Sequence, residues 1–289
     1  MSLGIAFKGP EGIVLAADSR ATLNAQLQTP QGLMLLPATF DNATKLLKAN
    51  GQNHVGAVTY GQGAIGLLEP RTPHSYMPEF EASLPQERLG VEDFARRLSD
   101  FFMERWTAGG MPNPVLPGQD MAFLVGGYDP DATYGKIFEL FIPTRPQPHE
   151  LIPNQFGAVW GGQGQIAMRL LNGFDPATPQ LARNFLRVPL QQGQQAQPDP
   201  LEIELRTKLG AKIPWQFLPL QDCIDLSIFV LRATITLQKW TVDVRGVGGA
   251  IDLATITRTP EGFRYVQQKH IAGEMEEIND RHSDHKRLA

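Results

Sequence analysis

The strongest constraint on the fold lies at the start of the chain. Leu3-Gly4-Ile5-Ala6-Phe7-Lys8 and Ile13-Val14-Leu15-Ala16-Ala17-Asp18 are apolar runs on either side of Gly9-Pro10-Glu11-Gly12. Proline in the second place of a four-residue turn presets φ, and the flanking glycines accept the tight bend. Two such runs around such a turn predict a β-hairpin. A surface hairpin alternates apolar and polar residues, whereas these runs are apolar at nearly every position, so both faces must be covered. The hairpin therefore belongs at the centre of a layered structure. Simple antiparallel pairing sets Lys8 opposite Ile13, Phe7 opposite Val14 and Leu3 opposite Asp18. Asp18 then comes to the neighbourhood of Ser2.

The rest of the chain supplies the layers. Residues 23–40 are turn-rich, with Pro30-Gln31-Gly32 and Pro37. Residues 45–49 and 54–58 flank Asn50-Gly51 and predict a second hairpin. A helix is expected to start at residue 64 and to stop at Pro70, with a loop over 70–90. Val91, Phe94, Ala95, Leu98, Phe101 and Phe102 recur at helical spacing and predict a helix over 91–106. Strands are expected at 121–125, 137–141 and 156–160. Gly161-Gly162-Gln163-Gly164 then leads into a helix over 165–172. That turn lacks a following Lys-Ser/Thr and a complete G-x-G-x-x-G, so it reads as a close strand–helix turn, not a phosphate loop. Residues 226–240 are apolar on most sides and predict a buried helix. Residues 248–257 and 263–266 close as a hairpin around Pro260-Glu261-Gly262.

Two stretches stand apart. Residues 175–220 contain seven prolines, a glutamine-rich patch and apolar anchors at Trp215, Phe217 and Leu218, the pattern of an interfacial insertion. From residue 267 the chain is a polar tail. The order of strands, helices, strands, helices, strands suits an α+β fold of two antiparallel sheets packed together, with helices outside. Setting aside 23–40, 175–220 and 267–289 leaves roughly 200 residues, the size of a single sandwich, so one domain over 1–266 is expected.

Composition removes several functions. Lys and Arg total 26 against 30 Asp and Glu, a net charge of −4 without a basic run, which argues against nucleic acid as a partner. The single Cys223 excludes an internal disulfide framework and a multi-thiolate zinc site. His282 and His285 lie in the polar tail, and neither a metal nor another cofactor is expected. No stretch approaches the roughly 20 apolar residues of a membrane span. Met1-Ser2-Leu3-Gly4 carries no basic or apolar leader pattern, so a cytoplasmic protein is expected.

The chemistry points to the N-terminus. Ser2 is small enough that Met1 is expected to be removed after synthesis, leaving an α-amine on a residue that carries a hydroxyl. Such a residue holds a nucleophile together with a base, because an α-amine has a pKa of about 8.

Residues 2–8 followed by Gly12-Ile13-Val14-Leu15-Ala16-Ala17-Asp18-Ser19-Arg20-Ala21-Thr22 resemble the opening of proteasome β-type subunits, whose hallmark is Gly-Val-Val-Leu-Ala-Ala-Asp-Ser-Arg-Ala-Thr. The resemblance runs without a gap from Ser2 to Thr22, extends to about residue 64, and recurs at Gly248-Gly249-Ala250-Ile251-Asp252-Leu253. The α-type subunits carry a helical extension before this motif, so the likeness is to the β type or its bacterial proteasome-like relatives. It implies a four-layer αββα sandwich and an N-terminal-nucleophile, threonine-type hydrolase that cleaves peptide bonds. The family's threonine falls on Ser2. Asp18 falls on its aspartate, Lys45 on its active-site lysine, and Gly61 on the glycine whose N–H serves the oxyanion hole. Its supporting serine falls near Gln163, and its late aspartate near Asp243, with Val247 where a second serine is usual. Ala21, Ala43, Thr59 and Gly63 fall on the walls of its specificity pocket, which suggests an apolar substrate side chain. The resemblance also implies a homo-oligomer, a ring or helical assembly, acting on peptides or unfolded protein; an ATPase unfoldase partner is left open. Two alternatives stand beside the peptidase: a non-catalytic subunit that keeps the fold, and an acylase acting on small amides.

Overall fold

The computed structural model describes residues 2–30, 32–67, 69–116, 118–186, 199–242 and 245–269. Met1, Asp243 and residues 270–289, with His282 and His285, lie outside the described residues. The first hairpin pairs β1 (Leu3–Lys8) with β2 (Ile13–Asp18), Lys8 facing Ile13 and Gly4 facing Ala17. With β10 (Gly157–Gly162), β11 (Ile251–Ile256) and β12 (Phe263–Gln267) it builds a five-stranded antiparallel sheet in the order β10-β1-β2-β11-β12. A second antiparallel sheet runs in chain order through β5 (Leu46–Lys48), β6 (Val55–Gly61), β7 (Met121–Gly127), β8 (Lys136–Ile142) and β9 (Arg145–Leu151).

The unbroken apolar character of the hairpin has a direct structural cause. Every residue of β1 and β2 is buried, and alternate residues serve two cores. Leu3, Ile5, Phe7, Val14 and Ala16 meet α3 (Gln165–Asn172) and α6 (Leu220–Trp240) through Ala167, Leu171, Cys223, Ile224 and Leu231. Ala6, Ile13, Leu15 and Ala17 meet Val58, Tyr60, Ala122 and Leu124 of the second sheet. The far face of that sheet is covered by α2 (Val91–Ala108), whose Phe94, Leu98, Phe102 and Trp106 pack on Phe123, Val125 and Leu140. Each buried Leu, Ile, Val or Phe contributes about 1.5–3 kcal/mol, so burial on both faces pins the hairpin at the centre. The architecture is an αβ sandwich.

Several expectations change. Residues 23–40 are not turn-rich but lie within two nine-residue strands, β3 (Ala21–Thr29) and β4 (Gly32–Phe40), paired only with each other. Pro30 and Gly32 flank the tip, and Pro37 is tolerated because a two-stranded ribbon has two free edges. No helix forms after residue 64: Ile65 bridges Arg71, and Gly66 sits at φ +110°, which a helix does not allow. Within 70–90, a short 3-10 turn at Pro73–Tyr76 leads into α1 (Met77–Ala82). β9 has no clear sequence signature because it is an edge strand carrying Pro146 and Pro148. α6 begins at Leu220 and buries one face only, leaving Phe229 and Trp240 exposed. The 175–220 stretch folds into α4 (Thr178–Leu186), α5 (Pro200–Leu209) and a 3-10 turn, with 187–198 outside the described residues. Trp215 and Leu218 pack on the chain's own core, Trp215 against Phe7 at 5.4 Å, so they are not free anchors, whereas Phe217 is exposed.

Candidate active site

Ser2 precedes β1 and is held by its neighbours on both sides. Its carbonyl accepts from the Gln163 N–H at 2.8 Å, while the Leu3 N–H donates to Asp18 Oδ1 at 3.0 Å. The glycine turn after β10 makes the first contact feasible. Gly162 stands at φ +88°, and a Cβ there would lie 1.9 Å from the Ser2 carbonyl oxygen. Ser2 itself is only 3 % exposed, and its Oγ accepts from the Gly61 N–H at 3.3 Å.

Asp18, at the end of β2, is the polar hub. Oδ1 accepts from Leu3 N and from Lys45 Nζ at 2.7 Å; Oδ2 accepts from Arg20 N at 3.1 Å and Gly248 N at 3.0 Å. Four donors on one buried carboxylate compensate its lost hydration. Lys45 is buried beside it, and burial lowers its pKa below the ordinary lysine value. Asp18 opposes that shift, whereas Lys269 and Arg20 add to it. Arg20 is itself engaged by Asp41 through both oxygens, at 2.6 and 2.7 Å.

These groups border a small open cleft. Ser2, Lys45 and Gly61 line it, together with Ala21, Ala43, Thr59 and Gly63. The structure therefore places seven of the sequence-derived site residues on one cleft, with Asp18 directly beneath. Gln163 reaches Ser2 through its main chain, while its Oε1 accepts from Gln238 Nε2 at 3.0 Å. Gln238 in turn receives the Val247 N–H at 3.0 Å, which ties the β10–α3 turn to the segment before β11. Asp243 lies outside the described residues. Thr22, Arg20, Gly248, Gln238 and Lys269 were not among the sequence candidates; Arg20, Thr22 and Gly248 sit inside the motifs quoted above, and the other two carry no sequence signal.

Gly61 combines two demands. Its φ is +81°, and a Cβ would meet the Asp120 carbonyl oxygen at 2.2 Å. Gly61→Ala is expected to turn its N–H away from Ser2 Oγ and to lower stability by about 1–3 kcal/mol. Thermal unfolding measures the loss, and an unchanged Tm would mean that the position accepts a side chain.

Among the described residues, no group of three or more His, Cys, Asp or Glu is placed to hold a metal ion, and no helix is long and apolar enough to cross a membrane. The arrangement is an αβ sandwich with a hydroxyl-bearing residue just before its first strand. No family model and no curated protein matches the chain. Among solved structures, a mutant of Anbu from Hyphomicrobium sp. strain MC1 is similar, at a TM-score of 0.51 and 16 % identity, over 100 % of this chain and 97 % of that one. That likeness shows the fold.

Proposed function

We propose that this chain is a proteasome-like N-terminal-nucleophile peptidase or amidase that uses Ser2, exposed by removal of Met1, to hydrolyse peptide bonds. One observation carries the reading: the Gly61 N–H faces Ser2 Oγ at 3.3 Å, beside the buried Asp18–Lys45 pair and at the edge of a cleft. Ser2 Oγ attacks the substrate carbonyl, and its proton passes to the Ser2 α-amine. The Gly61 N–H stabilises the oxyanion, and the amine then protonates the leaving nitrogen. Water hydrolyses the resulting ester by the same route. The Lys45 ammonium favours the ionised oxygen and keeps the nearby α-amine deprotonated, while Asp18 holds Lys45 in place. The four-layer αββα arrangement, a cytoplasmic location and a homo-oligomer acting on peptides or unfolded protein belong to the same proposal.

Intact-mass measurement of the purified protein tests the first step, since retained Met1 blocks the amine and overturns the reading. Labelling by an electrophile directed at adjacent amine and hydroxyl groups tests the second, and should be lost in Ser2→Ala. A non-catalytic subunit is the second reading, favoured by buried Val247 at the position of a supporting serine. Removal of Met1 without any labelling would select it.

The cleft wall refines specificity. Thr59 Oγ1 and Thr22 Oγ1 are buried without a hydrogen-bond partner, although the neighbouring wall positions Ala21, Ala43 and Gly63 are small. A substrate side chain that ends in a hydrogen-bonding group satisfies them; a purely apolar one leaves them unpaired. Amide-ending side chains are therefore expected to be cleaved faster than leucine in a peptide panel. Thr59→Val should move the ratio toward leucine by about tenfold, the value of one buried unmade hydrogen bond. An unchanged ratio would remove Thr59 from substrate selection.

A further inference from the structure

A second buried ion pair lies beside the first. Lys269, just past β12, puts its ammonium on Asp252 Oδ2, and both side chains are nearly fully buried. Its main-chain N–H reaches Asp252 Oδ1 at 2.8 Å, so one carboxylate clamps the residue at two points. Asp252 lies on β11 opposite Ala17, one register step from Asp18. The same ammonium donates to the Ala43 carbonyl at 3.2 Å, across 226 residues of sequence. Ala43 lines the cleft two residues before Lys45, and its own N–H donates to the Ser19 carbonyl at 2.9 Å. The Lys45 carbonyl accepts from Thr59 at 3.0 Å. Segment 43–45 is thus pinned on three sides, and Lys269 supplies the only side-chain pin among these contacts.

We propose that Lys269 is a positioning residue of the Ser2 site: its ammonium, locked on Asp252 and on the Ala43 carbonyl, fixes the segment that presents Lys45. The activity part of this proposal rests on the reading of Ser2 as nucleophile; the effect on Lys45 does not. The charged groups near Lys45 are Asp18 at the end of β2, Arg20 and Asp41 paired at the open end of the β3–β4 ribbon, and Lys269 after β12, with Asp252 of β11 holding the last. Asp18 is the attractive partner in direct contact, and Lys269 and Arg20 are the repulsive ones. Removing the Lys269 charge leaves Asp252 buried and unpaired next to this cluster. Both changes favour the protonated form of Lys45.

The test follows the titration of lysine side chains labelled at Cε by NMR, in the full-length chain carrying Ser2→Ala, with and without Lys269→Met. The Lys45 resonance is expected to titrate at higher pH in Lys269→Met. In the chain with Ser2 intact, loss of the pin on segment 43–45 is expected to lower peptide hydrolysis about tenfold, and Lys269→Arg to recover most of the rate. An unchanged Lys45 titration in folded Lys269→Met overturns the proposal, as does Lys269→Arg being as impaired as Lys269→Met. Should Lys269→Met fail to fold, Asp252→Asn/Lys269→Met removes both charges; a smaller upward movement of Lys45 is expected there, and none overturns the proposal. Absence of hydrolysis in every variant, the parent included, would sink the nucleophile reading alone and leave the Lys45 titration to decide the role of Lys269.

Discussion

Ser2→Ala is expected to abolish peptide hydrolysis while leaving the fold intact. The substitution removes one oxygen atom from a buried residue whose position is set by main-chain contacts, the Gln163 N–H on its carbonyl and the Leu3 N–H on Asp18. None of these uses the hydroxyl, so thermal unfolding should shift little. On the reading proposed above, what disappears is the atom that attacks. Loss of a nucleophile lowers kcat by about 10⁴-fold or more when its activating groups are left without a partner. An uncleavable residue placed before Ser2 is expected to give the same loss by a separate route, since it removes the amine and keeps the hydroxyl. Progress curves with a fluorogenic peptide, alongside circular dichroism, check both. Hydrolysis surviving in Ser2→Ala would put the nucleophile elsewhere.

Asp18→Ala is expected to produce the largest loss of stability together with a loss of activity. Its carboxylate is the partner of a buried ammonium and of three main-chain N–H groups. Deleting it leaves Lys45 as a buried charge without its counter-ion, which costs about 3–5 kcal/mol. In a chain of this size that corresponds to a fall of about 10 °C in Tm. Asp18→Asn tests the charge separately: the amide keeps its oxygen acceptor but offers no charge to Lys45, so activity should suffer more than stability. A Tm unchanged in Asp18→Ala would contradict the hub role assigned to the carboxylate.

How much of this was legible follows from where each signal is stored. The hairpin of β1 and β2 was readable with its register, because its residues face two different cores and all had to be apolar. α2 was readable because its apolar residues fall on one face against a sheet. The ribbon of β3 and β4 was hidden because prolines near its tip and in its second strand imitate a loop, and it pairs with neither large sheet. β9 was hidden for a related reason, since an edge strand tolerates proline and polar residues. At the site, Ser2, Asp18, Lys45 and Gly61 were reachable through a motif and its resemblance. Lys269 and Gln238 were not, since each contributes through contacts that exist only after distant strands and helices come together.

The strand order also sets a timetable for the birth of the N-terminus. β1 is flanked by β2, which follows it at once, and by β10, which begins only at Gly157. At about 5–20 residues per second, the ribosome delivers that second neighbour on the order of 10–30 s after the first. Throughout this interval one edge of β1 is unpaired and the Gln163 amide that will hold the Ser2 carbonyl does not yet exist. On the reading proposed above, removal of Met1 belongs to this interval. Once β10 docks, the bond that a processing enzyme would have to reach adjoins a residue that is 97 % shielded, as its 3 % exposure implies. On that reading, the order of the strands in the sheet also orders maturation and folding.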